Sequence, residues 1–323
     1  MIDKPYAKIS SSQITPLDVY LSRRKFLKVA AMGAGAAALS ACGGSSPAEA
    51  TPPAAAASTA QASSPKSPTD ELGDKLTAFG DATNYNNFYE FTETKEAVAS
   101  LAKNFSPNTW SVSVGGLVNK PRVFDLDDLR KLFGQEERVY RLRCVEGWSM
   151  VIPWLGFALN KLLAMVEPTS AGKFVRFETS SDPKQFPNMG NRFYPWPYVE
   201  GLRMDEAMHD LTFLATGMYG LPLPGQSGAP VRLAVPWKYG FKSAKSIVKI
   251  DVVDAMPQSF WMKTGPSEYG FYSNVNPEVP HPRWSQATER RIGELSRRRT
   301  TKFNGYEAQV AGLYTGQDLR KDF

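Results

Sequence analysis

Cys144 is the residue whose type and position could do the most chemistry in this 323-residue chain. Only two cysteines are present, Cys42 and Cys144, and Cys42 lies in the N-terminal segment that reads as a removable leader, so Cys144 is alone in the globular part. It ends the stretch Val139-Tyr140-Arg141-Leu142-Arg143 and begins Val145-Glu146-Gly147-Trp148-Ser149, where a strand gives way to a loop. A rigid scaffold with an accessible tip is where functional groups are usually held. Arg141 and Arg143 add positive charge close by in the sequence, which favours thiolate, and a thiolate is a soft ligand for a thiophilic transition metal. The plainer alternative is a small buried apolar residue, a common fate of free cysteine. His209 and His281 are too few for the usual zinc sites. No G-x-G-x-x-G or G-x-x-x-x-G-K-S/T stretch occurs.

The elements that must position Cys144 are short and mixed. Residues 110–118 alternate apolar and polar, as a half-buried strand does. Asp125 reads as the N-cap of a short helix, with Leu126, Leu129 and Leu132/Phe133 on one face, Asp127 and Asp128 in the first turn and Gly134 after the end. Residues 139–143 read as the strand delivering Cys144, and 154–166 as a helix stopped by Pro168. Further strands are expected over 173–179, 231–235 and 247–253, and a strand–turn over 237–242. No period of 20–50 residues repeats, and strands and helices do not alternate regularly, so the class is α+β.

At 42% hydrophobic and 12% aromatic residues, the chain can bury a core. The net charge of +6 raises the question of nucleic acid, but its distribution answers against it. Residues 1–41 carry Lys4, Lys8, Arg23, Arg24, Lys25 and Lys28 against Asp3 and Asp18, so four of the six excess charges belong to the leader. The nearly balanced remainder has no basic surface for tracking phosphates. Ser22-Arg23-Arg24-Lys25-Phe26-Leu27-Lys28, followed by a Gly/Ala-rich apolar run, resembles a twin-arginine export signal. Such signals carry folded, cofactor-loaded proteins, so export to the periplasm with a cofactor already inserted is expected. Leu39-Ser40-Ala41-Cys42 resembles a lipoprotein cleavage box. The favoured expectation is a lipid anchor on Cys42, the other a cut after Ala48-Glu49-Ala50. The expected organisation is a signal segment over 1–42, a Ser/Pro/Ala-rich flexible tether over 43–70 and one catalytic domain over 71–323. No stretch after residue 42 has the roughly 20 apolar residues needed to span a bilayer.

R-C-V-E-G-W-S-M-V-I-P-W-L-G-F, beginning at Arg143, resembles the segment around the metal-binding cysteine of the sulfite-oxidase-like molybdopterin fold. Within that superfamily it is most similar to the catalytic subunits of bacterial periplasmic protein-methionine-sulfoxide reductases. The likeness runs from N-Y-N-N-F-Y-E at 84–90 through A-P-V-R-L-A-V-P-W-K-Y-G-F-K at 229–242 and E-Y-G-F-Y-S-N-V-N-P at 268–277 to H-P-R-W-S-Q-A-T-E-R at 281–290. The resemblance implies a Mo-molybdopterin cofactor with Cys144 as metal ligand. It also implies pterin contacts from Asn86, Tyr89, Glu90, Thr179, Arg232, Ser243, Ala244 and Lys245. An arginine fork and a lysine point charge suit a terminal phosphate; the alternative for Arg232 and Lys245 is a solvated surface pair. Ser227 stands where the family usually has Asn, and its shorter hydroxyl places a direct contact there in doubt.

The resemblance further implies reduction of methionine sulfoxide in oxidised exported proteins, with electrons from the quinone pool through a haem-bearing membrane subunit. Two rivals stay open at this point. One is sulfite oxidation on the same fold, which needs an arginine-rich pocket at the metal; the other is a non-enzymatic exported binding lipoprotein. Aromatic residues such as Trp196, Trp237, Tyr239, Trp261 and Trp284 are expected mainly in the core, although near a metal mouth they could receive a methionine side chain.

Overall fold

The computed structural model describes residues 65–322. The leader, Cys42 and most of the expected tether lie outside those residues. Asp70, placed by composition at the tether's end, is buried and accepts a hydrogen bond from Arg141 Nη1 at 2.7 Å.

The strands, in chain order, are β1 (Ser111–Gly116), β2 (Arg122–Asp125), β3 (Glu136–Cys144), β4 (Trp148–Ala158), β5 (Phe174–Thr179), β6 (Val199–Arg203), β7 (Phe213–Met218), β8 (Leu221–Pro222), β9 (Arg232–Ala234), β10 (Ile247–Val253), β11 (Thr288–Arg291) and β12 (Arg297–Arg299). They form two sheets. One runs β2-β1-β10-β5-β6; the other runs β12-β11-β4-β7-β8, with β3 added on β4 and β9 on β7. Short helices fill the connections, and none among the described residues is long and apolar enough to cross a membrane. This is the expected α+β class.

Local chemistry explains the elements that matched expectation. Asp125 caps the helix Leu126–Phe133 by accepting from Asp128 N at 2.7 Å, and Gly134 follows the helix end at φ 69°. Leu129 and Phe133 are buried, and the Phe133 ring stacks on Phe157 of β4 at 4.6 Å. Strand β10 occupies residues 247–253 as read, between β1 and β5 at the middle of the first sheet.

Three expectations need correction. The helix read over 154–166 is confined to Leu159–Val166, and residues 154–158 complete β4. Strand β4 pairs with β3 on one edge and with β11 and β7 on the other, and it is buried almost throughout. It therefore reads as an unbroken apolar run without alternation. Pro153 imitates a helix start but sits opposite Val139 in the sheet. At Gly156 a Cβ would lie 2.0 Å from Leu214 O, so the strands close up only because this residue is glycine. The loop after Cys144 is also shorter than read, since Trp148 and Ser149 already belong to β4. The strand–turn over 237–242 is a turn with isolated bridges followed by a 3₁₀ helix, Gly240–Lys242.

The N-terminal stretch is tied to the C-terminal strands by charge. Asp74 accepts from Arg298 Nη1 at 2.7 and 2.8 Å and from Arg291 Nη2 at 2.9 Å. Burial raises the Asp74 pKa, but the hydrogen bonds and charges of Arg298 and Arg291 outweigh it and hold the carboxyl below its ordinary 3.8. A depressed carboxylate stabilises the fold above its unfolded-state pKa, and that contribution is lost as pH falls through the folded-state value. Asp74→Asn is expected to cost on the order of 1 kcal/mol at pH 7. Thermal melts of the two proteins should differ at pH 7 and converge as pH falls through the lowered folded-state value of Asp74.

Candidate functional site

Strands β3 and β4 form a hairpin whose tip is residues 145–147, with Cys144 opposite Trp148. Gly147 closes the turn at φ 81°, donating from its N to Cys144 O at 3.0 Å. Two carbonyls at the tip are clamped from behind. Cys144 O accepts from the Arg143 guanidinium, and Val145 O accepts from both Trp284 Nε1 and Gln286 Nε2 at 2.7 Å. On its other edge Arg143 makes a parallel bridge to Tyr239, which brings residues 240–245 beside the cysteine.

Cys144 lines a cavity of about 950 Å3, measured out to its mouth. Asn86, Tyr89, Glu90, Ser227, Arg232, Ser243, Ala244 and Lys245 line the same cavity. Thr179 stands behind the wall and donates its hydroxyl to Glu90 Oε1 at 3.2 Å. All ten residues singled out from the sequence thus converge, nine on the cavity and one in its support.

The expected help from the arginines is small: the Arg143 charge does lower the Cys144 pKa, but it is outweighed, and Arg141 is turned elsewhere. Successive side chains of a strand point to opposite faces, so neither arginine shares the face of Cys144. Arg141 turns to Asp70, Glu71 and the carbonyl of Asn304. Arg143 turns to Glu289, Thr300 and Gln286. Burial instead pushes the Cys144 thiol up to about 12, with the Glu146 carboxylate adding to the rise. A soft metal bound at this sulfur would supply the further charge that favours thiolate.

The residues that face Cys144 are only partly legible in the sequence. Glu146 Oε2 receives Lys95 Nζ at 2.9 Å, Trp148 Nε1 at 3.0 Å and Asn87 Nδ2 at 3.2 Å. Asn87 Nδ2 also reaches Cys144 Sγ at 3.4 Å. Burial raises the Glu146 pKa, but Lys95 and the hydrogen bonds more than reverse it, so the carboxyl sits below its ordinary value. Asn87 and Glu146 lie inside quoted motifs and could have been marked; Lys95 reaches the site only through tertiary packing.

At the pterin-contact end, Arg232 is 4% exposed, which excludes a solvated surface pair. It donates to Ser227 O at 2.8 Å and packs over the Trp154 ring at 4.7 Å. Among the described residues no carboxylate forms a salt bridge with Arg232 or Lys245. Burial drives the Arg232 pKa down to about 10. Burial and Arg232 together push the Lys245 ammonium down, and burial pushes the Glu90 carboxyl up. The hydroxyl of Ser227 and Oδ1 of Asn86 are buried without partners. Two basic side chains thus lack a salt-bridge partner among the described residues, with the buried Glu90 the carboxylate whose charge Lys245 feels. Together with the orphaned polar groups they fit an anionic, hydrogen-bonding group such as a pterin phosphate, and the sulfur of Cys144 in the same cavity fits a soft metal.

Residues 99–261 match the family model described as "Oxidoreductase molybdopterin binding domain". Fold, cavity and donor set therefore define a molybdopterin-binding oxidoreductase. The chain is 54% identical over 319 residues to the "Protein-methionine-sulfoxide reductase catalytic subunit MsrP" of Burkholderia mallei, covering 98% of this chain and 96% of that protein. It is 53% identical over 324 residues to the subunit of the same name from Ralstonia nicotianae, with coverage of 98% and 96%. It belongs to the family of protein-methionine-sulfoxide reductase catalytic subunits. Among solved structures, the sulfane dehydrogenase SoxCD of Paracoccus pantotrophus overlaps 58% of this chain and 48% of its own at 20% identity and a TM-score of 0.44.

Arg232→Met and Lys245→Met should each weaken pterin retention. A charged hydrogen bond contributes roughly 1.5–3 kcal/mol, which corresponds to about ten- to hundredfold in affinity. Pterin content per protein after dialysis measures this; full retention in both variants would remove these residues from the phosphate site.

Proposed function

We propose that this chain reduces methionine sulfoxide in exported proteins, using a molybdenum–molybdopterin group held through Cys144. Pterin contacts come from Asn86, Tyr89, Glu90, Thr179, Ser227, Arg232, Ser243, Ala244 and Lys245. When bound, that group supplies two-electron oxygen-atom transfer, and the protein's part is geometry, charge and access. The single observation that carries the choice of substrate is the ionised Glu146 beside Cys144. Arg232 is the one arginine lining the cavity, and it is engaged with the Ser227 carbonyl. Sulfite is an anion: two like charges about 5 Å apart repel by roughly 3 kcal/mol at an effective dielectric near 20, a figure that Lys95 reduces. A sulfoxide is neutral and meets no such barrier.

The remaining walls suit a methionine side chain. Tyr89 and Trp261 meet edge to face at 5.0 Å, and Trp261 lies 5.0–5.1 Å from both Tyr89 and Tyr269. All three line the cavity, and sulfur packs favourably against aromatic rings. Trp237, by contrast, is wholly buried and belongs to the core. Membership of the oxidoreductase family weighs against a non-enzymatic lipoprotein, and Glu146 weighs against sulfite oxidation.

The physiological setting completes the proposal. The twin-arginine segment exports the loaded enzyme to the periplasm, and a lipid on Cys42 with the tether over 43–70 holds it at the membrane. Tethering raises its effective concentration at a haem-bearing subunit that delivers electrons from the quinone pool. Relatives are named catalytic subunits, which is consistent with a separate electron-donor subunit.

Metal-loaded enzyme with an artificial donor should turn over methionine sulfoxide and leave sulfite almost untouched. Cys144→Ser should abolish that turnover together with molybdenum binding. Glu146→Gln should shift the sulfite-to-sulfoxide ratio of kcat/KM about tenfold towards sulfite, or 1.4 kcal/mol. Fully loaded enzyme that leaves methionine sulfoxide unreduced would overturn the proposal.

A further inference from the structure

A second, smaller pocket adjoins the first, and Val145, Phe241 and Tyr269 line both. Asn274 and His281 line the second pocket, and each is only 5% exposed. Both carry a polar nitrogen that finds no partner in the protein: Nδ2 of Asn274 and Nε2 of His281. Buried polar groups are ordinarily paired, so two orphans lining one pocket require an explanation.

The chemistry of each orphan is set by its neighbours. Lys238 Nζ donates to Asn274 Oδ1 at 3.0 Å, and an ammonium can only donate, so the amide is oriented with the Nδ2 donor left over. Lys238 is itself held by Glu206 Oε1 at 2.6 Å and the Tyr272 carbonyl at 2.7 Å. For His281, Arg283 N donates to Nδ1 at 3.2 Å, which leaves Nε2 to carry the proton of the neutral ring. Burial lowers its pKa, consistent with that neutral form. The ring is fixed by a parallel stack on Trp284 at 3.8 Å. Glu268 Oε2 lies 3.5 Å from Nε2, beyond ordinary hydrogen-bond length, and is taken by Arg283 Nη2 at 2.8 Å.

Two rigid N–H donors therefore share a pocket walled by Tyr239, Phe241 and Tyr269. They call for an acceptor oxygen. The Glu268 carboxylate in the same pocket disfavours an anion, which leaves a neutral acceptor such as an amide carbonyl. We propose that the second pocket binds a main-chain carbonyl of the polypeptide whose oxidised methionine enters the first, so that Asn274 and His281 determine preference for polypeptide over small sulfoxides. This inference rests on the sulfoxide reading above and extends it to the substrate's backbone. Preformed donors favour such binding because little ordering remains to be done on association.

The test compares two substrates of the holoenzyme: a peptide capped at both ends with one methionine sulfoxide, and dimethyl sulfoxide, which has no carbonyl. Asn274→Asp keeps the oxygen that Lys238 binds and exchanges the free donor for an acceptor. His281→Phe keeps a ring on Trp284 and removes the other donor, so each variant checks the other. Thermal melts establish that each is folded. The peptide-to-dimethyl-sulfoxide ratio of kcat/KM should fall about tenfold or more in each, mainly through the peptide KM. An unchanged ratio in the folded variants would mean that the pocket holds only water, and the inference is wrong. If the wild-type holoenzyme reduces neither substrate, the sulfoxide reading itself fails and the peptide assignment falls with it.

Discussion

Arg143 is a wholly buried guanidinium, and its hydrogen bonds hold the turn that carries Cys144. A buried charge is tolerated only when paired and fully hydrogen-bonded, and its partners here come from far along the chain. Glu289 Oε2 accepts from Nε at 2.9 Å, Gln286 Oε1 accepts from Nη2 at 2.8 Å, and Thr300 Oγ1 lies 3.2 Å from Nη2. Gln286 then reaches over to the carbonyl of Val145. The hairpin tip is thus completed only when β11 and β12 have packed beside β4. Removing one partner of such a network leaves an uncompensated charge, at a cost of roughly 3–5 kcal/mol. The position of the cysteine sulfur is a tertiary property, set by residues more than 140 positions away in sequence.

The same logic divides the charge of the cavity. Residues 232–245 carry Arg232, Lys238, Lys242 and Lys245. Lys238 and Lys242 are each 2.6 Å from a buried glutamate, Glu206 and Glu200 respectively. Those two pairs anchor the segment and cancel their own charge. Of these four, Arg232 and Lys245 are left to line the cavity, which Glu146 and Cys144 also line. One cavity thus carries cationic side chains as well as a carboxylate beside Cys144, so that it would favour anionic groups at one place and disfavour them at another.

Much of this was legible in the sequence, and the failures have physical causes. The helix Leu126–Phe133 was readable because its cap, its apolar face and its terminal glycine are all local. Strand β10 falls where its β-branched run lies, despite an irregularity between Ile247 and Lys249, and Cys144 does end a strand. Strand β4 was misread because a strand buried on both faces loses the period of two by which strands are recognised. The effect assigned to Arg141 and Arg143 is weaker than expected because adjacency along a strand is opposition across it, and burial outweighs the lowering that Arg143 supplies. Lys95 was invisible, since nothing local records that residues 95 and 146 meet. Lys238 likewise reads as an ordinary surface residue until burial and three hydrogen bonds reveal it as the residue that orients Asn274.

Ser227 contributes to its end of the cavity through its main chain. Its side-chain oxygen is buried without a partner, whereas its carbonyl accepts from Arg232 Nη1 at 2.8 Å. The arginine is therefore oriented by main chain, which a side-chain replacement does not remove. The neighbouring Gly228, at φ 101°, keeps that main chain close: a Cβ there would lie 2.8 Å from Lys245 Cβ and 3.3 Å from Arg232 Cβ. Ser246 N reaches back to the Gly228 carbonyl at 3.1 Å, binding the two sides of the cradle together. Gly228 is the glycine that lets the Arg232 and Lys245 side chains pack against the same stretch of backbone. The residue before it is freer to vary, because its essential contact is a peptide oxygen that every amino acid possesses.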